Sequence, residues 1–221
     1  MIFKTKNHRK WLATAYIVAF FLLELLVLTN SSIVTSIDGG AQNLLGGLVS
    51  PFNTKLFSMI TTLASPAMDA IYLIVIAIFL YRSGKKDAGL WIGFILISGN
   101  IISYLVKITV KRPRPTAKLL PASGYSFPSG HVFGTSLVIL ALIIFILPMI
   151  RNASTQQVIK ILLVIWLIIV AISRVYLRGH YLSDVLGSAL LAGAWWECSE
   201  LLYLRYYDSI ANLLKLNNAE D

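Results

Sequence analysis

Polar and apolar positions along this chain fall into long blocks, not into the short alternations of a water-soluble domain. Apolar runs cover residues 11–29, 67–82, 89–106, 132–150, 161–176 and 185–204, with short polar segments between them. Each is near the roughly 20 residues that a helix needs to cross a hydrocarbon core. The pattern predicts an all-α, polytopic membrane protein: a six-transmembrane-helix bundle, with residues 1–221 forming a single domain. Between spans one and two, Asp38, Gly39, Gly40, Gly46, Gly47 and Pro51 predict a loop carrying a short surface helix over 40–49. Pro66, with Thr61, Thr62 and Ser65, divides the next stretch into an amphipathic lead-in and a second span. One long helix kinked at Pro66 is the alternative. Residues 82–87 read as a basic turn and 151–160 as a polar connector.

Composition sharpens the class. Hydrophobic residues make up 57% of the chain and charged residues 13%, against about 25% charged in soluble domains. The basic start (Lys4, Lys6, Arg9, Lys10) ahead of the first run resembles a secretory leader. The run is longer than a leader's apolar core, and no A-x-A cleavage site follows, so a retained first helix is expected. Glu24 within it either pairs with a polar group of the bundle or lies close enough to an end to stay wet. The single Cys198 has no partner for an intramolecular disulfide and reads as a small apolar side chain.

Six spans put the loops after spans one, three and five on one face, opposite both termini. On the terminus side the chain carries eleven Lys and Arg, and on the other side eight, of which seven fall in residues 107–131 and 173–184. Cytoplasmic loops are enriched in Lys and Arg. Both termini are therefore expected in the cytoplasm of a cell-membrane protein, and the two exceptional stretches outside, on the same face, where they can meet. The net charge of +9 is thus accounted for without nucleic acid. The basic residues outside need another reason, such as an anionic ligand.

The first stretch reads KITVKRPRPTAKLLPASGYSFPSGH and the second SRVYLRGHYLSD. Pro113 and Pro115 stiffen the exit from span three around Arg114. A held guanidinium presents a planar fork to phosphate oxygens, and Lys107 adds a compact charge. Juxtamembrane basic residues attracting lipid headgroups are the plainer alternative. Pro128-Ser129-Gly130-His131 reads as a helix start with Ser129 as N-cap. Such a start is an anion site that Gly130 lets a ligand approach, with His131 on the first turn. In the second stretch His180 and Asp184 stand four apart. If His180 opens helix six, the carboxylate lies beside its imidazole and fixes its tautomer. One histidine then attacks phosphorus while the other protonates the departing oxygen, with Arg174 among the cations that stabilise the charge. His131, His180 and Asp184 also form a two-histidine, one-carboxylate metal set, which the surrounding basic side chains oppose.

Lys107-x6-Arg114-Pro115, Pro128-Ser129-Gly130-His131 and Ser173-Arg174-x5-His180-x3-Asp184 together resemble the three-part signature of the type 2 phosphatidic-acid phosphatase superfamily. That group includes bacterial membrane lipid phosphatases, glucose-6-phosphatase and the vanadium haloperoxidases. The resemblance implies His180 as nucleophile, Asp184 as its partner and His131 as general acid. It implies Lys107, Arg114, Ser129, Gly130 and Arg174 as the phosphate-binding set, and a reaction without metal or other cofactor. Lys111, Arg112, Lys118 and Arg178 stand outside the signature, with at most a role in drawing in the headgroup. The implied substrates are lipid phosphates whose tails stay among the membrane lipids: undecaprenyl diphosphate, phosphatidylglycerophosphate or phosphatidic acid. A lipid-linked phosphotransferase uses the same residues, and a non-catalytic anion or lipid carrier uses only the basic ones.

Overall fold

The computed structural model describes residues 2–3 and 8–213. Lys4, Lys6 and Lys215 of the charge count, and the polar tail, lie outside the described residues. The regular elements described are all helical: α1 (His8–Leu28), α2 (Ser32–Gly46), α3 (Pro51–Leu63), α4 (Pro66–Arg82), α5 (Lys86–Val110), α6 (Gly130–Ala141), α7 (Ala153–Tyr176) and α8 (Leu182–Leu213). Five segments are long and apolar enough to cross a membrane: Arg9–Leu28, Pro51–Arg82, Lys86–Val110, Gly130–Met149 and Ala153–Tyr176. The expected sixth span lies within α8 and is not among them, because Glu197 and Glu200 interrupt its apolar run.

Local chemistry explains where the helices begin and break. Ser50 and Ser65 each accept a hydrogen bond from the backbone N–H three residues on, and each is followed by proline at the first helical position. Residues 51–82 therefore form two helices parted at Ala64–Ser65. The connector expected over 151–160 is instead the start of α7, because Asn152 caps it by accepting from the Thr155 N–H at 3.0 Å. The fourth run keeps α-helical pitch only to Ala141. It then widens into a π turn over Leu142–Ile146 and tightens into a 3₁₀ turn over Leu147–Met149. Pro148, which has no N–H and crowds the carbonyl a turn earlier, accounts for the change of pitch.

The largest correction concerns residues 30–50. The short helix expected over 40–49 runs instead from Ser32 to Gly46, straight through Gly39 and Gly40. Packing overrides those glycines' poor helix propensity: α2 lies against α7 and α8, with Val34 and Asp38 buried beneath it.

α8 runs along α1 and against α6, while α4 sits between α5 and α6. Leu73, Leu80, Ile92, Ile95, Phe133 and Leu137 fill the centre. Large apolar side chains such as Trp11, Phe21, Ile97 and Ile165 stay exposed on the outside, as expected where the surrounding solvent is lipid. In such a bundle close packing and interhelical hydrogen bonds replace the hydrophobic drive. Trp195 of α8 donates to Ser98 of α5 at 3.1 Å, and Thr135 of α6 donates to the buried Asp69 of α4 at 3.2 Å. Glu24 is half-buried on α1 and has no hydrogen-bond partner among the described residues, so the paired alternative is not the one observed. Cys198 is a free, half-buried thiol on α8.

Candidate active site

Each charged stretch passes from one helix to the next through irregular chain, over 111–129 and 177–181, at one end of the bundle. The first leaves α5 at Lys111, whose left-handed conformation (φ 49) ends the helix. Proline then keeps residues 112–115 from turning back into helix. The loop returns along this segment: the Ser126 N–H donates to the Arg112 carbonyl at 2.8 Å and its hydroxyl to the Pro113 carbonyl at 3.0 Å. Phe127 anchors the return in a recess on α8, where a Cβ at Gly187 would stand 2.5 Å from its ring. Lys107, in the last turn of α5, donates to the Tyr125 and Pro128 carbonyls, both at 2.9 Å.

α6 then opens at Gly130, with Ser129 in the N-cap position but not capping. Its backbone N–H donates to Ser188 at 2.7 Å, and its buried hydroxyl has no protein partner. The expected side-chain cap is therefore absent, which leaves the first-turn N–H groups of α6 uncapped by Ser129. His131 follows on that first turn, half-buried.

The second stretch departs more from expectation. His180 does not open a helix: α8 begins at Leu182, and the N–H groups of Gly179 and His180 both reach the Arg174 carbonyl, at 3.1 and 3.2 Å. Asp184 still comes to 3.5 Å from His180 Nδ1, but the Ser126 carbonyl is nearer, at 2.7 Å. A carbonyl only accepts, so Nδ1 carries the proton. At the opposite edge of the ring Arg114 Nη1 lies 3.1 Å from Nε2. A guanidinium only donates, so the lone pair is on Nε2. Burial pushes the His180 pKa down to about 4, with Asp184 opposing and Arg174 and Arg114 adding to the fall. The ring is thus neutral at pH 7, its lone-pair nitrogen pointed at a cation.

Asp184 is fully buried, accepting from the Tyr181 N–H at 2.9 Å and from Arg112 Nη1 at 2.6 Å. Arg112, expected only to attract headgroups, is instead withdrawn into an ion-pair chain. Its other terminal nitrogen donates to Asp38 of α2 at 2.7 Å, and its guanidinium lies over the Tyr181 ring, 4.1 Å from the centroid. Burial opposes its charge, but Asp184 and Asp38 outweigh that and raise its pKa. Asp38, only 3% exposed, also accepts from the Ser183 N–H and hydroxyl. Lys118 turns back to the Ala122 carbonyl at 2.8 Å, and Lys111 is exposed.

These elements enclose a cavity of about 490 Å³. Both imidazoles line it, His131 and His180, together with Lys107, Arg114, Arg174 and Gly130. Asp184 and Ser129 stand behind the wall. Arg114 is pinned by the Gly179 carbonyl at 2.6 Å and the Ser123 carbonyl at 3.0 Å. Arg174 is held by the Thr61 hydroxyl of α3, while its Nε has no protein partner. A Cβ at Gly179 would come within 2.5 Å of the Arg174 guanidinium, so that position takes glycine. Thr61, Ser126, Gly179 and Asp38 all serve the site yet escaped the sequence reading. Two act through a backbone atom or a missing side chain, and two lie far away in the chain. Among the described residues no group of three potential ligands gathers as a metal site.

A model of the PAP2 superfamily matches residues 88–205. Undecaprenyl-diphosphatase BcrC of Bacillus subtilis (strain 168) is 32% identical over 183 residues, covering 75% of this chain and 90% of that protein. Phosphatidylglycerophosphatase B of the same strain is 28% identical over 171 residues, covering 76% and 83%. The crystal structure of the first transmembrane PAP2 type phosphatidylglycerolphosphate phosphatase from Bacillus subtilis matches with a TM-score of 0.72 at 22% identity. That match covers 85% of this chain and 96% of the solved one, a likeness of fold.

Proposed function

The chain belongs to the PAP2 superfamily of membrane lipid phosphatases, and from that premise we propose that it hydrolyses undecaprenyl diphosphate, phosphatidylglycerophosphate or phosphatidic acid through a phosphohistidine, without a metal. The observation that carries this reading is the neutral His180, its Nε2 lone pair set in a cavity with a second imidazole and three fixed cations. Nε2 attacks phosphorus, and the bond from phosphorus to the leaving oxygen breaks as His131 gives that oxygen a proton. Water then adds to phosphorus and passes a proton to His131, the P–N bond breaks, and inorganic phosphate leaves. Lys107, Arg114 and Arg174 neutralise the phosphoryl oxygens throughout. Asp184 steadies the imidazole from behind. With Arg112 and the Tyr181 N–H already on that carboxylate, it is a poor metal ligand, which supports the metal-free reading.

In this reading the chain is one domain of six spans. α8 makes the sixth crossing, its glutamates turned toward Arg9 and Trp196. The termini are cytoplasmic and the site faces outward, where undecaprenyl diphosphate is released during wall synthesis. Undecaprenyl diphosphate is the leading substrate, supported by the name of the 32%-identical relative.

The test is phosphate release by the purified enzyme in EDTA from each of the three lipids. His180→Ala should abolish turnover. His131→Ala should cost about 10²–10⁴-fold, more on phosphatidic acid, whose leaving group is an alkoxide, than on a diphosphate. Binding of all three lipids with no release would favour the carrier. Transfer to an alcohol acceptor in place of water would identify a phosphotransferase. Turnover surviving in His180→Ala would remove the phosphohistidine.

A further inference from the structure

His–Asp pairing normally puts a full negative charge behind an imidazole that becomes cationic as it takes a substituent. Here part of that charge is offset. Asp184 meets Arg112 at 2.6 Å, closer than the 3.5 Å to His180 Nδ1, so the two nearest charged groups behind the ring sum to zero. The remaining charges facing His180 are Arg114 from the loop and Arg174 from α7, both positive. His131 of α6 also lines the cavity, and the Ser126 carbonyl brings no formal charge. Left there, a developing positive charge on His180 would have in its favour only a carboxylate shared with Arg112 and the Ser126 carbonyl.

Asp38 changes the sum. From α2, more than seventy residues before Arg112 in the chain, its carboxylate takes the other end of the same guanidinium at 2.7 Å and is almost fully buried. Asp184, Arg112 and Asp38 together carry one net negative charge. We propose that Asp38 is a positioning residue of the catalytic site: by sharing Arg112 with Asp184, it restores the negative field that lets His180 carry positive charge as a phosphohistidine. In water such a remote charge would be screened, but inside a closed, poorly polarisable wall it is not. A second carboxylate on the guanidinium also keeps Arg112 from turning into the cavity as a fourth phosphate ligand. α2 is thereby part of the enzyme and not a cover on it.

This inference rests on the phosphohistidine reading, and its test separates the two. Detergent-purified parent, Asp38→Asn and Asp38→Asn/Arg112→Gln proteins are compared for folded elution, kcat, KM, pH profile and the rate of acid-labile phosphoenzyme formation on undecaprenyl diphosphate. Asp38→Asn keeps the shape but cancels the charge. It should slow phosphoenzyme formation and kcat by roughly 10-fold or more, leave KM nearly unchanged, and move the acid limb of the profile downward. The double variant again leaves one net negative charge, Asp184 alone, and should recover much of the lost rate. A purely structural pin would make the double variant no better than the single. If Asp38→Asn does not fold, the double variant decides alone. Phosphoenzyme formation within about tenfold of the parent supports the proposal. A folded but inactive double variant, or failure of both to fold, overturns it. So does parental behaviour of Asp38→Asn. A parent enzyme that forms no phosphoenzyme sinks the proposed mechanism itself, and this inference with it.

Discussion

Two regions of the bundle bury clustered charge, and they resolve it in opposite ways. Where α1 meets α8, Arg9 pairs with the fully buried Glu200 and lies 3.5 Å from Glu197, and Glu200 also accepts from the Trp196 N–H at 2.7 Å. Each charge there has an opposite partner. Around the cavity, Lys107, Arg114 and Arg174 are held only by neutral groups: backbone carbonyls, one hydroxyl and one imidazole. None of the three has a carboxylate partner among the described residues. Neutral acceptors fix a cation's position without cancelling its field. A paired cation ties helices together, whereas a cation held by carbonyls keeps its charge for a ligand. Arg112 shows that nearness to the site does not decide the matter. It sits among the cavity cations in sequence and belongs to the paired class in space.

Swapping one cation from each region breaks the comparison most directly. Arg174→Ala should lower kcat/KM by about 10²–10³-fold, the usual cost of removing a donor aimed at developing charge, with the protein still folded. Arg9→Ala should leave kcat/KM of the folded fraction at the parental value. It should instead cost about 3–5 kcal/mol of stability by stranding Glu200, read as a lower midpoint in a detergent-solubilised unfolding assay. If the two variants exchanged these effects, the division into holding and binding cations would be wrong.

A smaller effect sharpens the electrostatic side. With burial holding His180 down to about 4, the proposed nucleophile stays unprotonated well below the ordinary imidazole range. Activity is lost only as pH falls through that lower value, because protonation removes the Nε2 lone pair. Arg114 contributes to the depression. Arg114→Gln should therefore move the acid limb upward, toward 6.5, besides slowing the enzyme. Comparing parent and variant on one substrate cancels the substrate's own ionisation. A limb that stays in place would mean that Arg114 does not set the charge of His180.

The same contrast explains what the sequence could disclose. The helical runs and the residues that line the cavity, Lys107, Arg114, Gly130, His131, Arg174 and His180, were legible, because apolar blocks of membrane length and spaced His, Arg and Lys carry their chemistry in the residue type. The role of Arg112 was not, since nothing local tells a guanidinium bound by acids from one awaiting phosphate. Asp38 lay hidden in a glycine-rich segment read as loop, where packing on α7 and α8 imposes a helix. The partner of His180 Nδ1 is a backbone carbonyl, which any residue at position 126 could supply.

The least severe test concerns what holds a binding cation in place. Thr61 approaches Arg174 from α3, and its hydroxyl is that guanidinium's one hydrogen-bond partner among the described residues. A Cβ added at Gly179 would come within 2.5 Å of the same guanidinium. Thr61→Val keeps the shape and removes the acceptor, so Arg174 retains its charge but gains freedom to rotate. A buried donor left without its acceptor typically costs about 1–3 kcal/mol. Substrate phosphate can take up that donor, so most of the loss should fall on the protein before substrate binds. The expected outcome is a modest fall in kcat, roughly 3- to 10-fold, with KM little changed or lower. Gly179→Ala presses on the same guanidinium sterically and should move it instead of freeing it, raising KM. If Thr61→Val proved as damaging as Arg174→Ala, the hydroxyl itself would have to contact substrate, and the cavity's binding set would extend onto α3.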